Sequence, residues 1–115
     1  MYVDGFIIPV SNAKKDAYLK MAKIAGSVWK DHGALSVVEC WGDDVPPGKV
    51  TSFPLAVKLE ADESVVFSWV TWPDKASRDA GNEKVMADPR MQMTDDMPFD
   101  GKRLIFGGFE LLTQT

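Results

Sequence analysis

Hydrophobic and polar positions change period along this chain, and each change marks an expected element. Tyr2 to Val10 is rich in β-formers (Phe6, Ile7, Ile8, Val10), which predicts a strand, and Pro9 marks its end or an edge. From Ala13 to about His32, apolar Tyr18, Met21, Ala22, Ala25, Val28 and Trp29 recur at three- and four-residue spacing, the signature of an amphipathic helix. Ser11 or Asn12 is placed to cap it and Gly33 to stop it. Leu35 to Trp41 predicts a second strand, and GDDVPPGK at Gly42 to Lys49 a loop. Within Thr51 to Glu60, Ser52 ahead of Phe53-Pro54 predicts one short helical turn, and Ala61 to Glu63 a turn. SVVFSWVTW, Ser64 to Trp72, is the strongest strand pattern.

Asp74 then caps a second helix, which runs to about Ala87 because Asp88 precedes Pro89 and such residues resist helical backbone. Its expected inner stripe is small: Ala76, Ala80 and Ala87, with Val85 and Met86 nearby. Arg90 to Lys102 is a longer connection containing Met91, Met93, Met97, Pro98 and Phe99. Arg103 to Leu112 is the last strand, where Gly107-Gly108 predicts a bulge or a close backbone approach. The order βαββαβ gives the fold class α+β: a ferredoxin-like antiparallel sheet with two helices on one face.

That architecture leaves the second face of the sheet uncovered, and an uncovered face should be polar. Here both faces are apolar. In Ser64 to Trp72 one side carries Val65, Phe67 and Trp69 and the other Val66, Val70 and Trp72. The first strand repeats this, with Tyr2, Phe6 and Ile8 against Val3 and Ile7. An exposed apolar face is a partner surface, and its economical cover is the same sheet from a second copy. A homodimer forming a dimeric α+β barrel is therefore expected.

Composition narrows the function classes. The chain has 115 residues, 45% hydrophobic and 26% charged, which fits a single globular domain spanning 1–115. Its net charge of -4 and pI near 4.9, without a basic stripe, argue against a nucleic-acid partner. Cys40 is the one cysteine, so an internal disulfide and a cysteine-rich zinc site are both excluded. With no signal-peptide pattern and no apolar run of about 18 residues, no membrane association is expected, and the cytoplasm is the expected compartment.

Several stretches are distinctive in combination: VVECWGDDVP at Val37 to Pro46, VVFSW at Val65 to Trp69, Arg78-Asp79, DPRM at Asp88 to Met91, MPFDGKR at Met97 to Arg103 and GGFE at Gly107 to Glu110. From Tyr2-Val3-Asp4-Gly5-Phe6 to Glu110 the chain resembles the YbaA-like family of small bacterial proteins, a domain-of-unknown-function family. The resemblance implies a dimeric ferredoxin-like barrel and supplies no reaction.

The candidate ligand-binding residues are Glu39, Trp41, Trp69, Arg78, His32 and Arg103. Glu39, Trp41 and Asp43 share one side of the second strand if it stays regular. Glu39, a carboxylate among apolar neighbours, must be paired: with a ligand, or structurally with Arg103 or Arg78. Trp41, Trp69 and Trp72 could wall a pocket for a flat ligand or simply pack a core. His32 sits where a helix C-terminus favours a protonated imidazole, as a surface cap or as a base. Arg78 could bind an anion or pair locally with Asp74 at i,i+4. Arg103 could anchor the Asp100-Gly101 turn. Cys40, beside Glu39 and without a cationic neighbour, reads as a small buried hydrophobe. Asp43, Asp44, Asp95 and Asp96 read as solvated loop charge, lacking calcium-loop spacing. No nucleophile elbow, phosphate loop or dinucleotide fingerprint is present, and no cofactor is expected. Three readings stay open: a small-molecule-binding dimer, a cofactor-independent monooxygenase-like enzyme, and a non-catalytic interaction protein.

Overall fold

The computed structural model describes residues 1–92 and 96–115, so Met93 and Asp95 lie outside the described residues. Strand β1 (Tyr2–Ser11) leads through a 3-10 turn (Asn12–Lys14) into helix α1 (Lys15–Asp31) and strand β2 (Ser36–Trp41). The short helix α2 (Phe53–Ala56), strand β3 (Glu63–Trp72), helix α3 (Lys75–Ala87), a 3-10 turn (Pro89–Met91) and strand β4 (Ile105–Glu110) follow. The strands lie in the order β2-β3-β1-β4, each antiparallel to its neighbours.

Register assigns the faces. Val37, Glu39 and Trp41 pair with Val70, Ser68 and Val66, while Phe6 pairs with Ser68 on β3 and with Phe106 on β4. These residues, with Asp4, Ile8, Val10 and Trp72, form the helix-covered face. On it α1 buries Tyr18, Ala22, Ala25 and Val28, the stripe its periodicity predicts. Tyr18 and Ala22 pack with Ile8, Val10 and Val66 in one core cluster; Ala34, Val70 and Trp72 form another beneath Trp29.

Helix α1 starts differently from expectation. Neither Ser11 nor Asn12 caps it, because the chain enters through the 3-10 turn and Asn12 Oδ1 is taken by the Ser64 hydroxyl at 2.5 Å. Gly33, at φ 108°, turns the chain after α1 in a left-handed conformation that suits glycine. The other two expected caps form: Ser52 Oγ accepts from Leu55 N at 3.0 Å, and Asp74 Oδ1 from Ser77 N at 2.7 Å.

Helix α3 turns a different face inward from the one expected. Gly81 and Val85 are buried, whereas Ala76, Ala80 and Ala87 are exposed and Met86 is 69% exposed. The rotation is set by polar partners, since Arg78 and Asn82 both reach Asp4 on β1. A small residue still makes the close contact. A Cβ on Gly81 would lie 2.6 Å from Trp72 Cη2 and 2.7 Å from the His32 carbonyl oxygen. In β4 the ladder is unbroken, with Gly5 opposite Gly107 and Asp4 opposite Gly108. The glycines therefore mark close approach, of Gly108 to Tyr2 and Arg78, and no bulge.

The outer face carries Val3, Gly5, Ile7, Val38, Cys40, Phe67, Trp69, Ile105, Gly107 and Phe109. Phe109 leans over the paired glycines, and a groove of about 550 Å³ runs between Val3, Ile7, Phe67, Trp69 and Ile105. Phe67 and Phe109 remain 44% and 60% exposed. Cys40 is exposed here, contrary to the expected burial, because β2 is an edge strand and alternation with Glu39 and Trp41 puts the thiol on the outer side, paired with Phe67.

Candidate functional site

The helix-covered side of β2 brings two candidates together. Glu39 Oε1 accepts the Tyr18 hydroxyl at 2.5 Å, and Oε2 accepts the Ser68 hydroxyl at 3.0 Å. Helix α1 and strand β3 thus aim the carboxylate from two sides. Burial, then the hydrogen bond and charge of Glu39, push the Tyr18 phenol far above its ordinary pKa, so it stays a proton donor at neutral pH. Trp41 follows on the same face, and the Lys15 ammonium lies 4.9 Å from its ring centroid, a cation–π contact. Asp43 lies beyond the end of β2 and does not extend the set. The expected ion pairs of Glu39 with Arg78 or Arg103 do not form. Among the described residues no Lys, Arg or His makes an ion pair with Glu39. Both arginines are committed elsewhere.

Arg78 clamps α3 to β1. Its Nε and Nη2 donate to Asp4 at 3.0 and 2.8 Å, its Nη1 to Asp79 at 2.9 Å, and its guanidinium lies 5.2 Å from the Tyr2 ring centroid. Asp4, 4% exposed, also accepts from Trp72 Nε1 at 3.0 Å and Asn82 Nδ2 at 3.2 Å. The expected Asp74–Arg78 side-chain pair is absent, because Asp74 caps the helix and Asp4 outcompetes it for the guanidinium.

Arg103 anchors the end of the last connection, as expected. It donates to Asp100 Oδ2 at 2.8 Å, to both oxygens of Glu63 at 2.8 and 2.7 Å, and to the Lys58 carbonyl at 3.0 Å. His32 is the C-cap residue of α1, and its Nε2 lies 2.9 Å from Asp88 Oδ2. Asp88 is itself gripped by Arg90 Nε and Nη2 at 3.0 and 2.8 Å. Hydrogen bonds from Arg90, then His32, hold Asp88 well below the usual carboxylate range. Arg103 likewise lowers Glu63 and Asp100. A carboxyl with a lower pKa folded than unfolded contributes fully above the unfolded value near 4, and the contribution disappears as pH falls through the folded value. The thermal midpoint is therefore expected to be lower at pH 3 than at pH 6, measured by scanning fluorimetry at constant ionic strength and protein concentration. Equal midpoints would show that these pairs add nothing to folding.

The six candidates thus separate. Glu39 and Trp41 meet; Arg78, Arg103 and His32 belong to three distinct networks; Trp69 sits on the outer face, with Phe67 5.6 Å away. Trp72 is fully buried, so no pocket is walled by Trp41 with Trp69 or Trp72. Asp43 and Asp44 are exposed in the loop after β2, and Asp96 contacts Lys14 at 3.6 Å. Among the described residues no group of three His, Cys, Asp or Glu side chains converges on a metal-sized site, and no helix is long and apolar enough to cross a membrane. Sequence reasoning missed Tyr18 as a partner of Glu39, Ser68, Lys15 and the whole Asp4 network. Tyr18 was legible in part, as the one hydroxyl on the inner stripe of α1.

An antiparallel β2-β3-β1-β4 sheet with two helices on one face defines a ferredoxin-like α+β protein. A solved structure of an uncharacterized NIPSNAP domain protein from Burkholderia xenovorans has the same fold, with a TM-score of 0.59, 22% identity, and coverage of 96% of this chain and 94% of that one. Residues 1–101 match the family described as "Protein of unknown function (DUF1428)". The "Uncharacterized protein YbaA" of Escherichia coli K12 is 58% identical over 110 residues, covering 95% of this chain and 94% of the relative, and that of Shigella flexneri matches equally. The chain belongs to this YbaA-like, DUF1428 family.

Proposed function

We propose that the chain is a homodimeric small-molecule-binding protein, joined through the outer face of its sheet and holding its ligand at Glu39 and Trp41 on the helix-covered side. The observation that carries the reading is a division of labour between the faces. The groove on the outer face is open and lined by apolar, uncharged residues, whereas the other side presents an aimed carboxylate next to an indole.

A second copy is the occupant that fits the outer face. Two copies, each at net charge -4, would repel across a charged surface. The residues lining the groove carry no charge, and Glu63, at the end of β3 on the same side, is already paired with Arg103, so a two-fold contact over the groove buries apolar area without burying an unpaired ion. The proposed setting is a single domain in the cytoplasm, where a reducing environment suits the exposed Cys40 thiol.

Native mass spectrometry on protein purified gently from its own host tests both parts. A dimer carrying a stoichiometric extra mass, lost in Glu39→Gln, is the expected result. A monomer at micromolar concentration would overturn the dimer. A clean dimer without added mass, in the same preparation that fails to bind a metabolite extract, would overturn the ligand.

A further inference from the structure

Resting on the small-molecule reading, the structure points further, to the class of ligand. We infer that the site takes an organic cation, a primary or quaternary ammonium, held between the Glu39 carboxylate and the face of the Trp41 ring.

Three observations converge on this class. The first is charge. Asp4, Glu63 and Asp88 are each matched by an arginine, whereas the partners of Glu39 are the neutral hydroxyls of Tyr18 and Ser68. Each carboxylate oxygen accepts one of these and retains a lone pair for a further donor. The hydroxyls orient the charge and do not cancel it. Glu39 is exposed on the edge strand and its charge is solvated; an anion would be repelled there, and a cation gains a coulombic attraction that a neutral donor lacks. A primary ammonium supplies both the proton and the opposite charge, and a quaternary ammonium supplies the charge alone.

The second is the ring. Trp41 stands two residues beyond Glu39 on the same face, about 7 Å along the strand. A cation spanning that gap touches the carboxylate on one side and the indole on the other, the pairing used to recognise quaternary and primary ammonium groups.

The third is what the ring already holds. The Lys15 ammonium lies 4.9 Å from the Trp41 centroid. Lys15 precedes Tyr18 by three residues on α1, so both side chains leave the helix on the side facing β2. Its ammonium shows that this ring face accepts a cation, and it stands in chemically for the head group of the ligand. Lys15 is then a tethered competitor, displaced when the ligand binds.

The test is an NMR titration of the Trp41 indole N–H in the full chain. The probes are butylammonium and tetramethylammonium chlorides, with 1-butanol and sodium butyrate as neutral and anionic controls, all at constant ionic strength. The ammonium ions are expected to shift the signal saturably and the controls to leave it unmoved. Glu39→Gln, which can still accept one hydroxyl, should weaken ammonium binding by about tenfold or more. Lys15→Ala, a surface change, should strengthen it by removing the competitor, and this separates ligand contact from a merely structural effect of Glu39. Saturable binding of butyrate or butanol in place of the ammonium ions would overturn the cation while leaving a binding site in place. Ammonium affinity unchanged in Glu39→Gln, or weakened in Lys15→Ala, would also overturn it. If no probe moves the signal the inference fails, and the small-molecule reading then stands or falls separately on the mass of the natively purified dimer.

Discussion

Asp4→Ala is expected to lower the thermal midpoint by about 10–20 °C. The carboxylate is buried and accepts from Trp72, Asn82 and Arg78, so one side chain serves three donors on two elements. Removing it strands the guanidinium and the buried indole N–H together. Breaking a buried pair from one side costs about 3–5 kcal/mol, because the remaining charge is left uncompensated. Near this chain length each kcal/mol moves the midpoint by about 4 °C. The double substitution Asp4→Leu with Arg78→Met should recover much of the loss, since replacing both partners by apolar groups removes the uncompensated charge. The comparison is made at one protein concentration, because dimerisation would shift every midpoint. A melt of Asp4→Ala within about 3 °C of the parent would show the network to be ornamental.

That network also shows where a single sequence stops being readable. Strand and helix order, the capping of α2 and α3 by Ser52 and Asp74, and the inner stripe of α1 are local properties, and periodicity exposes them directly. The inward face of α3 is not local. Ala76, Ala80 and Ala87 form the apolar stripe a hydrophobicity argument selects, yet Arg78 and Asn82 turn toward the sheet because an acceptor waits for them 74 and 78 residues upstream. Pattern reasoning treats a polar residue as solvent-facing, and a buried ion pair reverses that rule on both partners at once. Asp4 did carry a signal. It shares strand parity with Phe6 and Ile8, the same misfit of a carboxylate among apolar neighbours that drew attention to Glu39.

The candidate site was half legible for a related reason. Alternation within β2 suffices to put Glu39 and Trp41 on one side. Whether Trp69 joins them depends on the pairing of Val38 with Trp69 across two strands, a register set by the long connection between them and by the packing of both faces. The partners of Glu39 come from α1 and β3, and the Lys15–Trp41 contact from the spacing of helix over sheet. Each of these requires the third dimension. Cys40 was misplaced by the same missing quantity, since burial at an edge strand depends on what covers it.

Trp69→Asp is expected to convert the proposed dimer to a folded monomer. Trp69 lies on the outer face between Val38 and Gly5 on the neighbouring strands, with the Phe67 ring beside it, and α1 and α3 pack on the opposite side of the sheet. In one copy alone an aspartate here points to water, so secondary structure by circular dichroism should survive. In a two-fold dimer each copy would drive a carboxylate into an apolar contact, and symmetry duplicates the insult. Desolvating an unpaired ion costs several kcal/mol even after relaxation, so two of them weaken association by about a thousandfold or more. Sedimentation velocity at about 0.1 µM, a concentration at which a nanomolar dimer is still intact and one weakened about a thousandfold is mostly dissociated, reads the change directly. Leu19→Asp supplies the control: Leu19 is 51% exposed but lies on α1, away from the outer face, and should leave the dimer whole. A Trp69→Asp protein that sediments as a dimer would move the interface off this face. Dissociation in both variants would show that added negative charge alone, on a chain already at net -4, drives the copies apart.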